Sequence, residues 1–270
     1  MASKTREGKS VMEILQANVY DYPQYYDLVY GSDWKAEFDF LRGTFKQYAE
    51  GPVDRVFEPA CGTGRLLYRL GKAGFDISGL DLNPRAVAYC NARLTRHGLP
   101  PTAWVGDMTD FQLRRPVDAA YNMINSFRHL PDETSACRHL ERMASGLRRG
   151  GLYILGFHLI PARGKATDEE CWSARRGHLV VNTRLWTRKR DAVLRTEHCG
   201  MTYDVYTPTR HLRLNDEIQF RTYTWPQFRE LVEKVASFEI RAVHDFSYNL
   251  REQTPITATT EDVVCVLEKV

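Results

Sequence analysis

The feature that most constrains the fold is a short apolar strand that runs into a glycine-bearing loop and then a helix. Val53–Phe57 is typical of a buried strand, Glu58–Gly64 (Glu-Pro-Ala-Cys-Gly-Thr-Gly) is the loop, and Arg65–Ala73 has a helical pattern. Gly62 and Gly64 permit a tight turn and let a ligand approach the backbone closely. The free amides at the start of the helix attract an anionic group. This unit is typical of nucleotide-binding α/β domains.

Strands and helices continue to alternate after this unit. Further strands are predicted at Phe75–Leu80, Thr102–Val105, Val117–Met123, Leu152–Leu159, Phe238–Phe246 and Val263–Leu267. One helix opens at Asn83-Pro84, where a capping residue precedes a proline. Another helix ends at Gly150-Gly151. Such alternation predicts parallel pairing with right-handed crossovers, that is, a doubly wound α/β sheet.

The alternation stops after Ile160-Pro161 and resumes near Thr224. Three β-type stretches without intervening helices lie between them, His178–Trp186, Ala192–Cys199 and Glu217–Thr224, and we expect them to pair antiparallel. Thr224–Gln227 carries a capping box that begins a helix. We therefore divide the chain into an N-terminal segment (1–31), an α/β domain (32–160 and 224–270) and an antiparallel β insertion (161–223).

Acidic residues at the ends of the second and third strands indicate the cofactor. Asp81 ends the second strand, where a carboxylate can accept both hydroxyls of a ribose, as it does for dinucleotides and for S-adenosylmethionine. A pyrophosphate favours a third glycine or alanine where this chain has Leu67. Glu58 would repel phosphates but suits a sulfonium cofactor that also carries an ammonium group. Asp107 and Met108, which follow the third strand, can contact adenine.

Four segments together carry a family resemblance: Glu58–Gly64, Gly79-Leu-Asp81, Gly106-Asp107 and Asn122–Leu130. In order and spacing they resemble the motifs of class I, Rossmann-like S-adenosylmethionine-dependent methyltransferases, most closely the bacterial small-molecule branch. The resemblance covers residues 20–160 well and 225–269 more loosely. It implies a seven-stranded, mostly parallel sheet of order 3-2-1-4-5-7-6 with an antiparallel last strand. It also implies methyl transfer from S-adenosylmethionine.

The same resemblance implies a set of cofactor contacts. Glu58, Gly62 and Gly64 would meet the methionine end, Asp81 the ribose, Asp107 with Met108 the adenine, and Asn122 the space under the methyl group. Ala60, Cys61, Arg65, Leu82 and Gly106 complete the predicted set. One departure from the family pattern is that Pro59-Ala60-Cys61 stands where the first half of the loop usually has glycine.

Candidate residues for the acceptor are less tightly specified. Methyl transfer by in-line displacement depends mainly on positioning the nucleophile, so a catalytic base is optional. We consider His129 a candidate base, and Tyr25 and Tyr30 candidate catalytic residues from an N-terminal segment that closes over the cofactor. The predicted substrate contacts are Asn125, Ser126, His158, Arg176 and Tyr203.

Composition limits the remaining function classes. A net charge of only +3 and the absence of an appended RNA-binding module disfavour a nucleic-acid substrate. The sequence has no long apolar run, and its six cysteines are scattered without a metal-binding spacing. We therefore expect a cytoplasmic enzyme with a small-molecule acceptor, without a bound metal or a membrane partner, that dimerises through the β insertion. The alternatives are an RNA or protein methyltransferase, an NAD-dependent oxidoreductase, and a non-catalytic S-adenosylmethionine-binding partner.

Overall fold

The structure, a computed structural model, describes residues 12–270, so the first part of the predicted 1–31 segment lies outside the described residues. Its strands are β1 (Glu13–Gln16), β2 (Arg55–Pro59), β3 (Asp76–Asp81), β4 (Ala103–Val105), β5 (Val117–Asn122), β6 (Leu147–His158), β7 (Glu169–Arg176), β8 (Leu179–Asp191), β9 (Thr196–Tyr206), β10 (His211–Arg221), β11 (Phe238–His244) and β12 (Asp262–Lys269). Its α-helices are α1 (Pro23–Tyr30), α2 (Lys35–Tyr48), α3 (Leu67–Lys72), α4 (Pro84–Arg96), α5 (Glu133–Gly146) and α6 (Trp225–Val235). Short 3₁₀ helices lie at Val19–Asp21 and Ser126–His129.

Seven strands form the larger sheet, in the order β11-β12-β6-β5-β2-β3-β4. The five strands from β6 to β4 pair in parallel, whereas β12 runs antiparallel to both of its neighbours. Counted in chain order within the α/β domain, this is the predicted 3-2-1-4-5-7-6 arrangement with an antiparallel last strand. The predicted fold class is confirmed.

Local sequence signals explain where the helices of this sheet begin. The Asn83 side chain accepts hydrogen bonds from the amides of Arg85 (2.8 Å) and Ala86 (3.3 Å), so it caps α4. The predicted capping box is also present, because the Thr224 amide donates to the Gln227 side chain at 2.9 Å. None of the helices within residues 12–270 is long and apolar enough to cross a lipid bilayer.

The central strands of this sheet are buried on both faces. Val56 and Phe57, adjacent on β2, belong to different apolar clusters, one on each side of the sheet. Ile154 and Tyr153 on β6 divide in the same way. This two-sided burial is expected of parallel strands covered by helices on both faces. It leaves the ends of the strands as the places where polar side chains can meet a ligand.

The second sheet has the order β1-β10-β9-β8-β7 and is antiparallel except that β1 pairs in parallel with β10. One of its faces buries Tyr203 and Leu214 against Val19 and Leu28 of the N-terminal segment. The insertion and the N-terminal segment therefore share one apolar core.

Of the three strands predicted in the insertion, His178–Trp186 falls on β8 (Leu179–Asp191), whereas the other two have wrong bounds. The predicted strand Ala192–Cys199 is wrong at its start, because 192–195 form a turn and β9 begins at Thr196. The turn is closed by the Asp191 carboxylate, which accepts from the amides of Val193 (3.0 Å) and Leu194 (2.9 Å). Strand β10 ends at Arg221 rather than Thr224, and β1 and β7 were not predicted.

Candidate active site

A cavity of about 680 Å³ opens at the carboxyl ends of β2, β3 and β4. Its walls come from five separate parts of the chain, namely 18–26, 60–63, 80–86, 106–109 and 124–138. This is the edge of a doubly wound sheet at which ligands generally bind. The volume lies within the range of pockets that hold small molecules and cofactors.

The glycine loop forms the first wall, with three residues in left-handed backbone conformations. Ala60 has φ +53°, Gly62 has φ +52° and Gly64 has φ +66°. The amides of Gly62 and Gly64 donate to the Asp81 carboxylate and to the Cys61 carbonyl, each at 2.8 Å, and so hold the loop as a tight turn. Because Ala60 carries a Cβ, the chain adopts at this position a conformation that the usual glycine would adopt at lower cost.

This strain predicts that Ala60→Gly stabilises the protein. Relief of the left-handed alanine conformation stabilises the folded state by about 1–2 kcal/mol. Glycine also has more conformational freedom in the unfolded chain, which offsets part of this effect. We therefore expect a net increase in the free energy of unfolding of about 0.5–1 kcal/mol. Ala92→Gly, at an exposed position within α4, is the matched control and should instead destabilise by about 1 kcal/mol. Urea unfolding measures the free energy of unfolding of both variants. An equal loss of stability in the two would contradict the strain at Ala60.

Asp81 forms the second wall, at the end of β3. One of its carboxylate oxygens accepts from the Gly62 amide at 2.8 Å and the other accepts from the Asn83 amide at 2.8 Å. Burial raises the pKa of Asp81, and these two amide hydrogen bonds oppose the rise. The carboxylate is therefore held in one orientation at the cavity wall. Leu82, 73% exposed beside it, presents an apolar side chain at the same wall.

The third wall contains Gly106, Asp107 and Met108 and rests on a buried histidine. The Asp107 carboxylate accepts from the Thr109 amide at 2.7 Å and shapes the turn. Behind it, His139 Nδ1 lies 2.9 Å from the Met108 carbonyl, and Nε2 lies 2.8 Å from the Tyr153 hydroxyl. Since a carbonyl only accepts, Nδ1 carries the proton, and in the neutral ring Nε2 accepts from Tyr153.

His139 predicts that the protein loses stability in mild acid. Burial lowers the pKa of His139 to about 4. Unfolded histidine titrates near 6.5, so the stability due to the neutral ring is complete above that pH and is lost as the pH falls toward 4. We expect a loss of about 2 kcal/mol between about pH 7 and pH 5, measured by urea unfolding. A His139→Leu variant should lack the part of the pH dependence that is due to His139. An equal pH dependence of the free energy of unfolding in both proteins would contradict this assignment.

Several predicted residues lie beneath the glycine loop rather than on the cavity surface. The Tyr121 hydroxyl donates to Glu58 at 2.7 Å, and burial raises the pKa of Glu58 well above its usual range. Arg65 forms a two-pronged, buried ion pair with Glu37 at 2.7 and 2.6 Å. Cys61 is also buried. These side chains do not line the cavity, and their predicted contact with a cofactor stays a prediction.

Asn122 supplies a polar atom beneath the same loop. Its Nδ2 donates to the Pro59 carbonyl at 3.0 Å, whereas its buried Oδ1 has no hydrogen-bond partner among the described residues. A buried acceptor of this kind requires a ligand or water. The orphaned Asn122 oxygen, the positive-φ loop and the fixed Asp81 carboxylate together fit the methionine and ribose parts of an S-adenosyl compound.

The N-terminal tyrosines reach the cavity, although in a different register from the one predicted. Tyr20 and Tyr26 line it. Tyr25 instead stacks on Tyr22, with ring centroids 6.0 Å apart, and Tyr30 packs between Tyr26 (4.5 Å) and a tryptophan of β7 (5.7 Å). The prediction did not include α1, and so could not assign its faces.

The segment after β5 brings a histidine to the same cavity. Ser126 and His129 line it, and His129 Nε2 lies 3.0 Å from the Tyr20 hydroxyl. Desolvation by the protein around the ring and, to a smaller extent, the charge of Arg128 together lower the pKa of His129 to about 4, although the side chain is open to the cavity. His129 is therefore neutral near pH 7.

The other predicted substrate residues lie elsewhere. Asn125 and His158 border a separate cavity of about 50 Å³, where His158 Nδ1 pairs with Asp262 at 2.7 Å. Arg176 reaches the buried Asp27 at 3.4 Å. Tyr203 is fully buried in the second sheet and its hydroxyl has no partner among the described residues. The structure does not bring these four side chains to the cavity that holds Gly62 and Asp81.

Comparison with known proteins identifies a methyltransferase domain within the chain. Residues 56–151 match the model of a methyltransferase domain. A protein of Geobacillus sp. (strain WCH70) described as a methyltransferase is 26% identical over 119 residues, which cover 44% of this chain and 48% of that protein. The match thus spans about half the length of that relative.

Two solved structures share the fold over nearly the whole chain. An S-adenosylmethionine-dependent methyltransferase from Clostridium acetobutylicum ATCC 824 has a TM-score of 0.75 at 16% identity and covers 93% of this chain and 99% of its own. The sugar N-methyltransferase KedS8 from Streptoalloteichus sp ATCC 53650 has a TM-score of 0.70 at 19% identity and covers 98% and 99%. These findings agree with the resemblance carried by the loop, Asp81 and Gly106-Asp107: residues 56–151 match a methyltransferase domain, and the chain shares its fold with S-adenosylmethionine-dependent methyltransferases.

Proposed function

We propose that the protein transfers a methyl group from S-adenosylmethionine to a nitrogen or oxygen of a small-molecule acceptor. The observation that carries this proposal is one cavity walled both by the cofactor motifs, Gly62 and Asp81, and by polar side chains outside them, Tyr20 and His129. Similarity to a sugar N-methyltransferase over almost the full chain supports an acceptor of metabolite size.

When bound, S-adenosylmethionine supplies a methyl group on a sulfonium that a nucleophile attacks in line. The chain's own contribution is positional. Gly62 and Asp81 would hold the ribose and methionine parts, and Asp107, Met108 and Leu82 the adenine. Because orientation alone lowers the barrier of such a displacement by several kcal/mol, no strong base is required.

The Tyr20–His129 pair is the candidate for orienting the acceptor and accepting its proton. A neutral imidazole has one acceptor nitrogen, and at 3.0 Å the pair shares a single hydrogen bond whose direction depends on the tautomer. With a pKa of about 4, His129 is free to accept a proton throughout the neutral range, although only as a weak base.

We expect His129→Ala to lower kcat by about tenfold or more while leaving cofactor affinity nearly unchanged, because the ring lies among the acceptor-side residues. His97→Ala, at an exposed histidine that ends α4 away from the cavity, is the matched control and should change neither quantity. Steady-state kinetics and a separate binding titration measure the two quantities. Full activity in His129→Ala would exclude it as base and as orienting residue.

The acceptor class is tested by measuring transfer of a labelled methyl group from S-adenosylmethionine to a panel of acceptors. The small molecules of the panel are free amino sugars, nucleotide-linked amino sugars and hydroxylated aromatic compounds, and the macromolecules are RNA and unfolded protein. The proposal predicts labelled product from at least one of the small molecules, with equimolar S-adenosylhomocysteine. Label that enters only RNA or protein would favour the macromolecular alternative.

We further propose that the acting unit is a homodimer formed through the outer face of the second sheet, where Trp186 lies between Arg184 (4.9 Å) and Arg188 (5.5 Å). A broad, polar sheet face with a half-buried tryptophan suits a protein interface. Light scattering coupled to size exclusion should give twice the mass of one chain. A cytoplasmic location stays a prediction.

A further inference from the structure

A second large cavity, of about 770 Å³, lies at the opposite edge of the main sheet from the proposed cofactor site. It borders the amino-terminal ends of β2, β3 and β5, whereas Asp81 and Gly62 lie at their carboxyl ends. Nothing in the proposed methyl transfer uses this edge. We call it the amino-edge cavity and define it by Arg55, Thr102, Trp104, Leu113, Arg114 and Arg115.

The charges of the amino-edge cavity are mainly positive. Neither Arg114 nor Arg115 has a carboxylate within 4.0 Å among the described residues. Arg55 is only loosely paired, 4.0 Å from Asp118, whose oxygens already accept from two amides and from Arg148. Asp76 is the one carboxylate of the lining. Three guanidinium groups beside one carboxylate favour an anion, and their planar forks match phosphate.

The rest of the lining is apolar and offers a surface for a ring. Trp104 stacks on Phe57 with centroids 5.7 Å apart and planes at 21°, so its orientation is fixed. Leu113 joins the same apolar core. The Thr102 Oγ1 is buried and has no hydrogen-bond partner among the described residues. An apolar floor with a few unsatisfied polar groups is the usual composition of a small-molecule site.

From this combination we propose that the amino-edge cavity is a second binding site, for an organic phosphate of the nucleoside monophosphate class. The phosphate lies between Arg114 and Arg115, and the ring lies along Trp104 and Leu113. Trp104 also connects this site with the cofactor cavity, since its Nε1 is only 3.2 Å from where a Cβ on Gly106 would lie.

The test is calorimetric titration of AMP into the protein in the presence of excess S-adenosylhomocysteine, which blocks adenine binding at the cofactor cavity. We expect AMP to bind, and to bind about tenfold or more weakly to an Arg114→Ala/Arg115→Ala double variant. Arg251→Ala, another exposed arginine without an ion pair among the described residues, is the control and should bind AMP as the parent does. Both variants alter exposed side chains, and circular dichroism checks their folding.

Absence of AMP binding, or equal affinity in the parent and the double variant, would overturn the proposal. Inorganic phosphate that binds as tightly as AMP would overturn its ring-binding part. The result is independent of the proposed methyl transfer, because Arg114 and Arg115 lie outside the cofactor cavity. If the protein failed to bind S-adenosylhomocysteine, comparing the AMP affinity of the parent with that of the Arg114→Ala/Arg115→Ala variant would still test this site.

Discussion

Replacing Asp81 with alanine should weaken the binding of S-adenosylhomocysteine by about 1–3 kcal/mol, because hydrogen bonds from ribose hydroxyls to a charged group are lost. The carboxylate is fixed by the Gly62 and Asn83 amides, each at 2.8 Å, so the ligand does not have to order it on binding. The substitution also removes the acceptors of these two amides, and this further weakens the binding of the ligand. Equilibrium dialysis with labelled ligand measures the change.

Asp76→Ala is the matched control for this experiment. Asp76 is an exposed carboxylate at the other end of the same strand, so its removal should leave the affinity for S-adenosylhomocysteine unchanged. An Asp81→Ala protein that binds as tightly as the parent would mean that the ribose lies elsewhere.

The largest expected effect on stability comes from Asp27 of α1. This carboxylate is 1% exposed and forms a salt bridge with Arg93, whose side chain is 11% exposed. It also accepts from Tyr89 at 3.2 Å and from Thr63 of the glycine loop at 3.4 Å. We expect Asp27→Ala to lower the free energy of unfolding by about 3–5 kcal/mol, because it leaves a buried guanidinium uncompensated.

Asp39→Ala provides the control, since Asp39 is about half exposed and pairs with Lys35 one helical turn away. Such exposed pairs contribute about 0.5 kcal/mol or less. Urea unfolding of the three proteins compares the two effects. A loss below about 1 kcal/mol in Asp27→Ala would show that Arg93 finds water or another partner.

The main sheet was predictable because its signals are local. The strand before Glu58, the Asn83-Pro84 cap and the capping box at Thr224 each act within a few residues, and the alternation of strands with helices limits the topology to parallel crossovers. The cofactor loop was predictable for the same reason, since Gly62 and Gly64 occupy backbone conformations that other residues adopt rarely.

The second sheet was harder to predict because its signals are weak or depend on distant residues. Arg195 adopts φ +56° in the turn before β9 without a glycine, asparagine or proline to mark it. Strand β7 carries charged side chains, several of them exposed, so its sequence lacks the alternation of apolar and polar residues that predicts a strand. Strand β1 is held by pairing with β10, some two hundred residues later in the chain.

The buried acids of the site illustrate the same limit. Asp27 is the one acid of α1, and Glu37 shares α2 with the exposed Asp39. Only the folded chain shows that Arg93 and Arg65 reach the two buried acids. Sequence reasoning likewise selected Tyr25 where the structure brings Tyr20 and Tyr26 to the cavity, since the helix that sets their faces was not predicted.

The most direct test of the account is equilibrium dialysis of the purified protein against labelled S-adenosylmethionine, S-adenosylhomocysteine and NAD. We expect about one S-adenosylhomocysteine to be retained per chain and excess NAD not to displace it. Retention of NAD alone, or failure to retain either S-adenosyl compound at about millimolar concentration, would contradict the claim that Gly62, Asp81 and Asp107 form a cofactor site.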